Sequence, residues 1–434
     1  MATTRGASGI DKRARVLNQL RHQILTALSD GHGGTAFLGE PLDEARRDPW
    51  RKDFEQSVRG FLRENGVQLK SEDAFVEDLA ARVELSGPIA DLLVDETVSE
   101  VMVVGPEKVY VEREGKIERT DRRFRNEDEL RGVIQRVAAA LGRRVDDGAP
   151  MVDARLPDGS RVNGVLQPIS VDGSMLTIRK FSLDIRSVES FVERGSASPN
   201  MMKLLEIAVR GRLNAVVVGG TGTGKTTLLN LLASFIPAEE RIITIEDTAE
   251  LRLAQEHVGR LEARHPDTRG EGRVTIAELF RNSLRMRPDR ILVGECRGEE
   301  AFFMLQAMNT GHDGSLTTLH ANSPRDALDR IENMVLMAGY ALPANVVRKQ
   351  VASAIDLLVQ VRRYADGSRK IESITEVTGT QGETVSLAEI FKFEEQGRGK
   401  DGKVAGRFVS SGFVPKFYEE LRGRGQNPPM NIFQ

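Results

Sequence analysis

The stretch Gly219-Gly220-Thr221-Gly222-Thr223-Gly224-Lys225-Thr226 fits the phosphate-cradling pattern G-x-x-x-x-G-K-[ST] at every required position. Ahead of it, Leu213-Asn214-Ala215-Val216-Val217-Val218 reads as a short buried parallel strand. Behind it, Thr227-Leu228-Leu229-Asn230-Leu231-Leu232 reads as the start of a helix. Strand, glycine turn and helix start together aim backbone N–H groups and the positive end of a helix dipole at one point. A triphosphate requires that arrangement. Lys225 can reach the β- and γ-phosphates as a point charge. The Thr226 hydroxyl suits Mg²⁺, which keeps most of its waters and takes few protein ligands.

Outward from this loop, strands expected at residues 215–218, 241–245, 290–293 and 314–318 alternate with helices. Alternation implies an α/β fold with a parallel sheet flanked by helices, whose ligands bind at the carboxyl ends of the strands. Two of those ends are acidic: Thr244-Ile245-Glu246-Asp247 and Ile291-Leu292-Val293-Gly294-Glu295. A carboxylate there can hold Mg²⁺ through water or take the proton of an attacking water. Read alone, each serves equally well as a helix cap or a solvated charge. Two of them beside a phosphate loop favour the chemical role. His312 and His320 frame the strand around residues 315–318. His320 is expected at the phosphate end of the sheet, able to sense the γ-phosphate. His312 is expected at the opposite end, or in a loop reaching a neighbouring subunit. No third and fourth ligand come at zinc spacing.

Residues before this region divide in two. Residues 1–86 read as charged helices at about 13–28, 42–64 and 72–85, with a break at Asp30-Gly31-His32-Gly33-Gly34. Residues 87–198 read as an α+β domain. Strands are expected at 101–104 and 109–112, followed by a turn at Glu114-Gly115, and a helix at 130–141. A hairpin follows, 151–156 with 160–166 around Pro157-Asp158-Gly159, then a strand at 175–181. Arg161, Arg179 and Lys180 of this domain are solvated strand charges, or they close over the nucleotide and neutralise its γ-phosphate. After the alternating region, residues 357–364 and 370–377 form an expected hairpin around Ala365-Asp366-Gly367-Ser368. Residues 397–406, rich in glycine and lysine, read as a mobile loop.

The chain has 434 residues, 40% hydrophobic and 29% charged, enough for two or three domains with their own cores. A net charge of −3, four Tyr and one Trp argue against a stacking groove for nucleic acid. Cys296 is the only cysteine, which excludes an intrachain disulfide and a cysteine-rich zinc site. No apolar run reaches the ~20 residues of a membrane helix. Met1-Ala2-Thr3-Thr4-Arg5-Gly6 leads into charged residues, not an apolar signal core. A soluble protein, attached to a membrane through partners, is the expectation.

Four motifs carry a resemblance: the loop at 219–226, Ile-Glu-Asp-Thr-Ala-Glu-Leu at 245–251, Arg-Pro-Asp-Arg-Ile-Leu-Val-Gly-Glu-Cys-Arg-Gly at 287–298, and Thr-Gly-His-Asp-Gly-Ser-Leu-Thr-Thr-Leu-His-Ala-Asn-Ser at 310–323. Together they resemble the secretion ATPases of type II and type IV secretion and of type IV pili. Residues 152–163 and 177–181 are most similar to the CpaF-like motor branch of tight-adherence (Tad) pili. The resemblance implies a RecA-like P-loop ATPase domain at 199–385, preceded by the α+β N-terminal domain at 87–198 and the helical extension at 1–86, and followed by a tail at 386–434. It implies ATP and Mg²⁺ as cofactors. Gly219, Gly220, Thr221, Gly222, Thr223, Gly224, Lys225, Thr226 and Thr227 would bind the nucleotide, and Thr226 and Glu295 would face the metal. Glu246 is implied as a candidate base and Glu295 as acting on metal or water, with the choice between them open. His312 and His320 fall in a histidine box, and Arg161 and Arg179 match phosphate sensors or arginine fingers. The family further implies a homohexamer at the cytoplasmic face of the inner membrane, working on pilus platform proteins, with no stable nucleic-acid binding. Type IV secretion of protein or DNA is the alternative within the family. A RecA-like nucleic-acid translocase and a nucleotide-gated scaffold are alternatives outside it.

Overall fold

Apolar residues at helical spacing build the first elements: α1 (Ala7–Gly31), α2 (Glu44–Glu64), α3 (Glu72–Ser86) and the short α4 (Ala90–Val94). A computed structural model describes residues 7–31, 44–113, 115–156, 158–180, 187–264, 266, 271–399, 402–423, 425 and 427–433. The chain divides into two units, 1–183 and 184–434. The expected break after α1 lies only partly within the described residues, since the helix runs through Gly31 and residues 32–34 fall outside them. Glu114, Pro157 and Phe181 of the expected turns and strand also lie outside.

In the first unit the helices share a core of Ile24 and Leu25 from α1, Phe54 and Val58 from α2, and Val76 and Leu79 from α3. Arg21 pairs with Asp78 at 2.8 Å across that bundle. A second core lies under an antiparallel sheet. Its members are β1 (Val98–Val104), β2 (Lys108–Arg113), β3 (Lys116–Arg119), β4 (Met151–Arg155), β5 (Arg161–Val165) and β6 (Met175–Arg179), in the order β3-β2-β1-β6-β5-β4. Helix α5 (Glu127–Ala140) covers it with Leu130, Val133, Ile134 and Val137. Asn126 caps α5, its side chain accepting from the Glu129 N–H. The alternating burial of β1 is what a sheet with one covered face demands.

The second unit follows the alternation read from sequence. It contains α6 (Val188–Glu193), α7 (Pro199–Arg210), β7 (Ala215–Val218), α8 (Lys225–Ala233), β8 (Ile242–Glu246), β9 (Val258–Glu262), α9 (Ile276–Ser283), β10 (Arg290–Cys296), α10 (Glu300–Asn309), β11 (Leu316–Leu319), α11 (Pro324–Met337) and α12 (Ala344–Ala354). Then come β12 (Leu357–Arg363), β13 (Arg369–Gln381), β14 (Thr384–Arg398), β15 (Val404–Ser410) and α13 (Lys416–Gly423). Nine strands form one sheet, β15-β14-β13-β12-β7-β11-β10-β8-β9. From β12 to β9 all neighbours are parallel; β12 to β15 form an antiparallel meander. Period-two alternation along β7 sends Val217 to one core with Leu228 and Leu232 of α8, and Val216 and Val218 to the other with α10, α11 and α12. The result is a RecA-like α/β layer structure, with β7, β8 and β11 buried on both faces.

Buried Asn214, at the foot of β7, joins three strands. Its Oδ1 accepts from the N–H groups of Gly314 and Ser315 at 2.9 Å each, and its Nδ2 donates to the Ala354 carbonyl at 2.9 Å. Its own N–H donates to Asp356 at 2.7 Å. The parallel strands are thereby held in register at the end away from the glycine loop.

Two features of the nine-stranded sheet differ from expectation. Strand β9 was not anticipated; it is a half-exposed edge whose residues do not alternate cleanly. Residues 397–406, expected as a mobile loop, carry the facing ends of β14 and β15, with Gly397 opposite Ala405 and Arg398 opposite Val404. The directly opposed Phe393 and Phe408, 5.0 Å between ring centres, stabilise that pair despite its glycines. The sheet therefore continues past residue 385.

Candidate active site

The chemistry-bearing residues sit where the parallel strands end. Val218 closes β7, the loop 219–224 turns, and Lys225 opens α8. Gly224, the residue before the helix, has φ 93°, a left-handed conformation that favours glycine. Inside the loop the Lys225 ammonium donates to the Gly220 carbonyl at 2.9 Å, and the Thr223 hydroxyl donates to the same oxygen at 2.9 Å. Thr226 and Thr227 occupy the first turn of α8.

Next to β7 lies β11, whose carboxyl end leads directly into half-buried His320. The Gly219 N–H donates to the Leu319 carbonyl at 3.3 Å, so the loop starts against that strand end. His312 is placed at the amino end of β11, with its backbone N–H on the Ala307 carbonyl at 3.1 Å. Beyond β11, β10 carries Glu295, and beyond that β8 ends on Glu246. The rim therefore brings together the loop, His320, Glu295 and Glu246, and leaves His312 at the far end.

Glu246 is only 2% exposed. Its Oε2 accepts from the N–H groups of Glu250 at 2.6 Å and Leu251 at 2.8 Å, so the carboxyl caps the turn that follows β8. Its Oε1 is buried and has no protein partner among the described residues. Burial pushes this carboxyl up to about 7, against the two backbone donors that pull it down. Gly294 makes the position possible: a Cβ there would stand 2.9 Å from Cγ of Glu246. Sequence reading passed over Gly294, although it lies within the quoted Val-Gly-Glu.

Glu295 is about a quarter exposed and pairs with Arg297 at 2.6 Å. Arg297 also lies 3.9 Å from Asp247, bridging the two acidic strand ends. Its role was likewise not anticipated. Neighbouring carboxylates hold its guanidinium above the usual range. The residues proposed from sequence to face a metal, Thr226 and Glu295, offer a hydroxyl and carboxylate oxygens, the donors that suit Mg²⁺. The orphaned Glu246 oxygen equally suits a donor from water. Thr226 and Glu295 are the residues that would face the metal, which supplies charge neutralisation to a phosphate chain when bound.

Arg161 and Arg179 belong to the first unit, where they are register partners on β5 and β6. Lys180 beside them is taken up structurally, its ammonium donating to the Asp95 carbonyl at 2.5 Å, and burial lowers it to about 8. Among the described residues no helix is long and apolar enough to cross a membrane.

A family model described as Type II/IV secretion system protein matches residues 83–400. A putative conjugal transfer protein of Mycobacterium tuberculosis is 36% identical over 303 residues, covering 68% of this chain and 86% of its own length. The type IV secretion system protein VirB11 of Bartonella quintana is 32% identical over 327 residues, covering 66% of this chain and 90% of its own. Among solved structures, the VirB11 ATPase from the Brucella suis type IV secretion system is similar at 30% identity, with 68% of this chain and 93% of that chain covered and a TM-score of 0.37. With its glycine loop, acidic strand ends and histidine on one rim, the chain belongs to the Type II/IV secretion system protein family, and it is an ATPase of that family.

Proposed function

We propose that the protein is the ATP-hydrolysing motor of a type IV secretion or conjugation machine, working as a homohexamer at the cytoplasmic face of the inner membrane. The observation that carries the reading is the shared rim of the parallel sheet, where Lys225, His320, Glu295 and Glu246 follow one another from strand to strand. The names of the relatives, conjugal transfer and type IV secretion, support the machine. In this reading residues 219–227 bind ATP, and Thr226 and Glu295 face Mg²⁺. Glu246 takes the proton of the attacking water at its buried Oε1, and His320 senses the γ-phosphate. Arg161 and Arg179 keep the phosphate-neutralising role that the resemblance implies for them.

The test is steady-state hydrolysis by the full chain with Mg²⁺. Lys225→Ala is expected to lower turnover by at least ~100-fold, because it removes a fixed charge from the developing γ-phosphate anion. Unchanged turnover would refute the reading. Arg161→Ala and Arg179→Ala are measured in the same assay and are expected to lower turnover while nucleotide binding persists.

A second reading, assembly or retraction of a Tad-type pilus, is favoured by the segments at 152–163 and 177–181. Isolation of the membrane partner separates the two. A transfer-channel component supports secretion, and a pilus platform protein supports the pilus. A nucleic-acid translocase would instead be stimulated by single-stranded DNA, steeply less so as salt rises.

A further inference from the structure

The hairpin of β12 and β13 lies on the other side of β7 from the acidic strand ends. It runs close along the glycine loop: a Cβ on Gly219 would stand 2.5 Å from the Val361 carbonyl oxygen. Two half-buried arginines of this hairpin border the loop. A Cβ on Gly222 would stand 3.6 Å from Nη1 of Arg363, and one on Gly224 would stand 3.5 Å from Cδ of Arg369. Arg363 and Arg369 are also register partners, directly opposite each other across the two strands. Lys225, next to Gly224, adds a third basic side chain along the same loop. Arg362, one residue earlier, sits on the opposite face of β12 and pairs with Glu372 at 2.7 Å.

The hairpin is braced from outside itself. Asp366 at its tip accepts from the Ser368 N–H at 2.9 Å, the Ser368 hydroxyl at 2.7 Å and, from β15, the Val404 N–H at 2.7 Å. Lys370 donates to the Gly195 carbonyl at 2.9 Å. The two guanidiniums are therefore presented on a rigid element, the condition under which a charged contact contributes binding without an ordering cost.

We propose that Arg363 and Arg369 clamp the nucleoside end of the bound nucleotide's phosphate chain, at the α-phosphate. The inference rests on the nucleotide site proposed above. Strand order decides which end. The terminal phosphate must face Glu295 and Glu246, reached through β11 on one side of β7, so the opposite end of the chain faces β12. A contact to a phosphate shared by ATP and ADP binds ground state and transition state alike. It acts on KM and leaves kcat alone.

The experiment uses the full chain with fluorescently labelled ATP and ADP, followed by steady-state hydrolysis. Arg363→Gln and Arg369→Gln are each expected to weaken both nucleotides about tenfold, by similar factors, as loss of one charged hydrogen-bonding partner does. KM rises correspondingly and kcat stays within about twofold. Lysine at either position is expected to recover part of the affinity, since charge remains and the fork is lost. Arg362→Gln, on the other face of the same strand, is expected to leave both affinities unchanged and controls for damage to the hairpin. Unchanged ADP affinity in both glutamine variants, with binding abolished in Lys225→Ala, overturns the clamp and leaves the nucleotide site standing. Loss of kcat at constant KM also overturns it, because it places the arginines at the terminal phosphate. Binding that survives Lys225→Ala overturns the nucleotide site itself.

Discussion

Glu246 is the residue whose surroundings differ most from those of a free carboxylate. Burial raises it from 4.5 to about 7, so in the folded nucleotide-free protein it keeps its proton to higher pH than in the unfolded chain. A raised carboxyl destabilises the folded state once the unfolded chain can ionise. The penalty is absent below about 4.5, grows between 4.5 and 7, and stays constant above, at about 3 kcal/mol. Glu246→Gln keeps an acceptor for the Glu250 and Leu251 N–H groups and cannot ionise. Denaturant melts at pH 5 and pH 8 are therefore expected to show the variant gaining on the parent as pH rises. The same proton governs catalysis. A base must be ionised, so kcat/KM is expected to rise through an apparent pKa of about 7. Glu246→Gln should lose 10²- to 10⁴-fold in turnover. A parent profile flat from pH 6 to 8 would move the proton to Glu295.

At the scale of elements, the site depends on the register of β7, β11 and β12, and Asn214 holds that register with four hydrogen bonds. Asn214→Ala keeps the backbone bond to Asp356 and strands the N–H groups of Gly314 and Ser315 and the carbonyl of Ala354 without their partner. Each buried orphan costs about 1–3 kcal/mol. A loss of roughly 3 kcal/mol or more is expected in urea unfolding, together with weakened nucleotide binding, since the loop hangs from the other end of β7. The glycine loop and the parallel strands could be read from sequence because their signals are contiguous: a fixed spacing, or a run of β-branched residues. Strand β9 escaped because a half-exposed edge leaves no clean alternation. The β14–β15 pair escaped because Gly397, Lys403 and Gly406 speak locally for a loop. Phe393 and Phe408 overrule them through a cross-strand contact that exists only after pairing.

For the whole molecule, a ligand that binds only the folded state stabilises it by mass action. At 100 times its Kd, MgATP contributes about 2.7 kcal/mol. For the unit holding the glycine loop, residues 184–434, that raises the melting midpoint by roughly 5–10 °C. Scanning fluorimetry is expected to register the rise in the parent and to find none in Lys225→Ala.

The sequence by itself determined the phosphate loop, the alternation that makes a parallel sheet, and the acidic ends of β8 and β10. Each is written within a few consecutive residues, and backbone geometry converts such patterns into local structure. Only the tertiary structure decided the order of the strands, and with it which side chains share the rim. It buried Glu246 against Gly294, joined Asp247 to Glu295 through Arg297, and laid Arg363 and Arg369 along the glycine loop. Those neighbours come from strands up to some 150 residues apart in the chain. Hydrogen bonding between strand edges brings them together, and no local pattern records it.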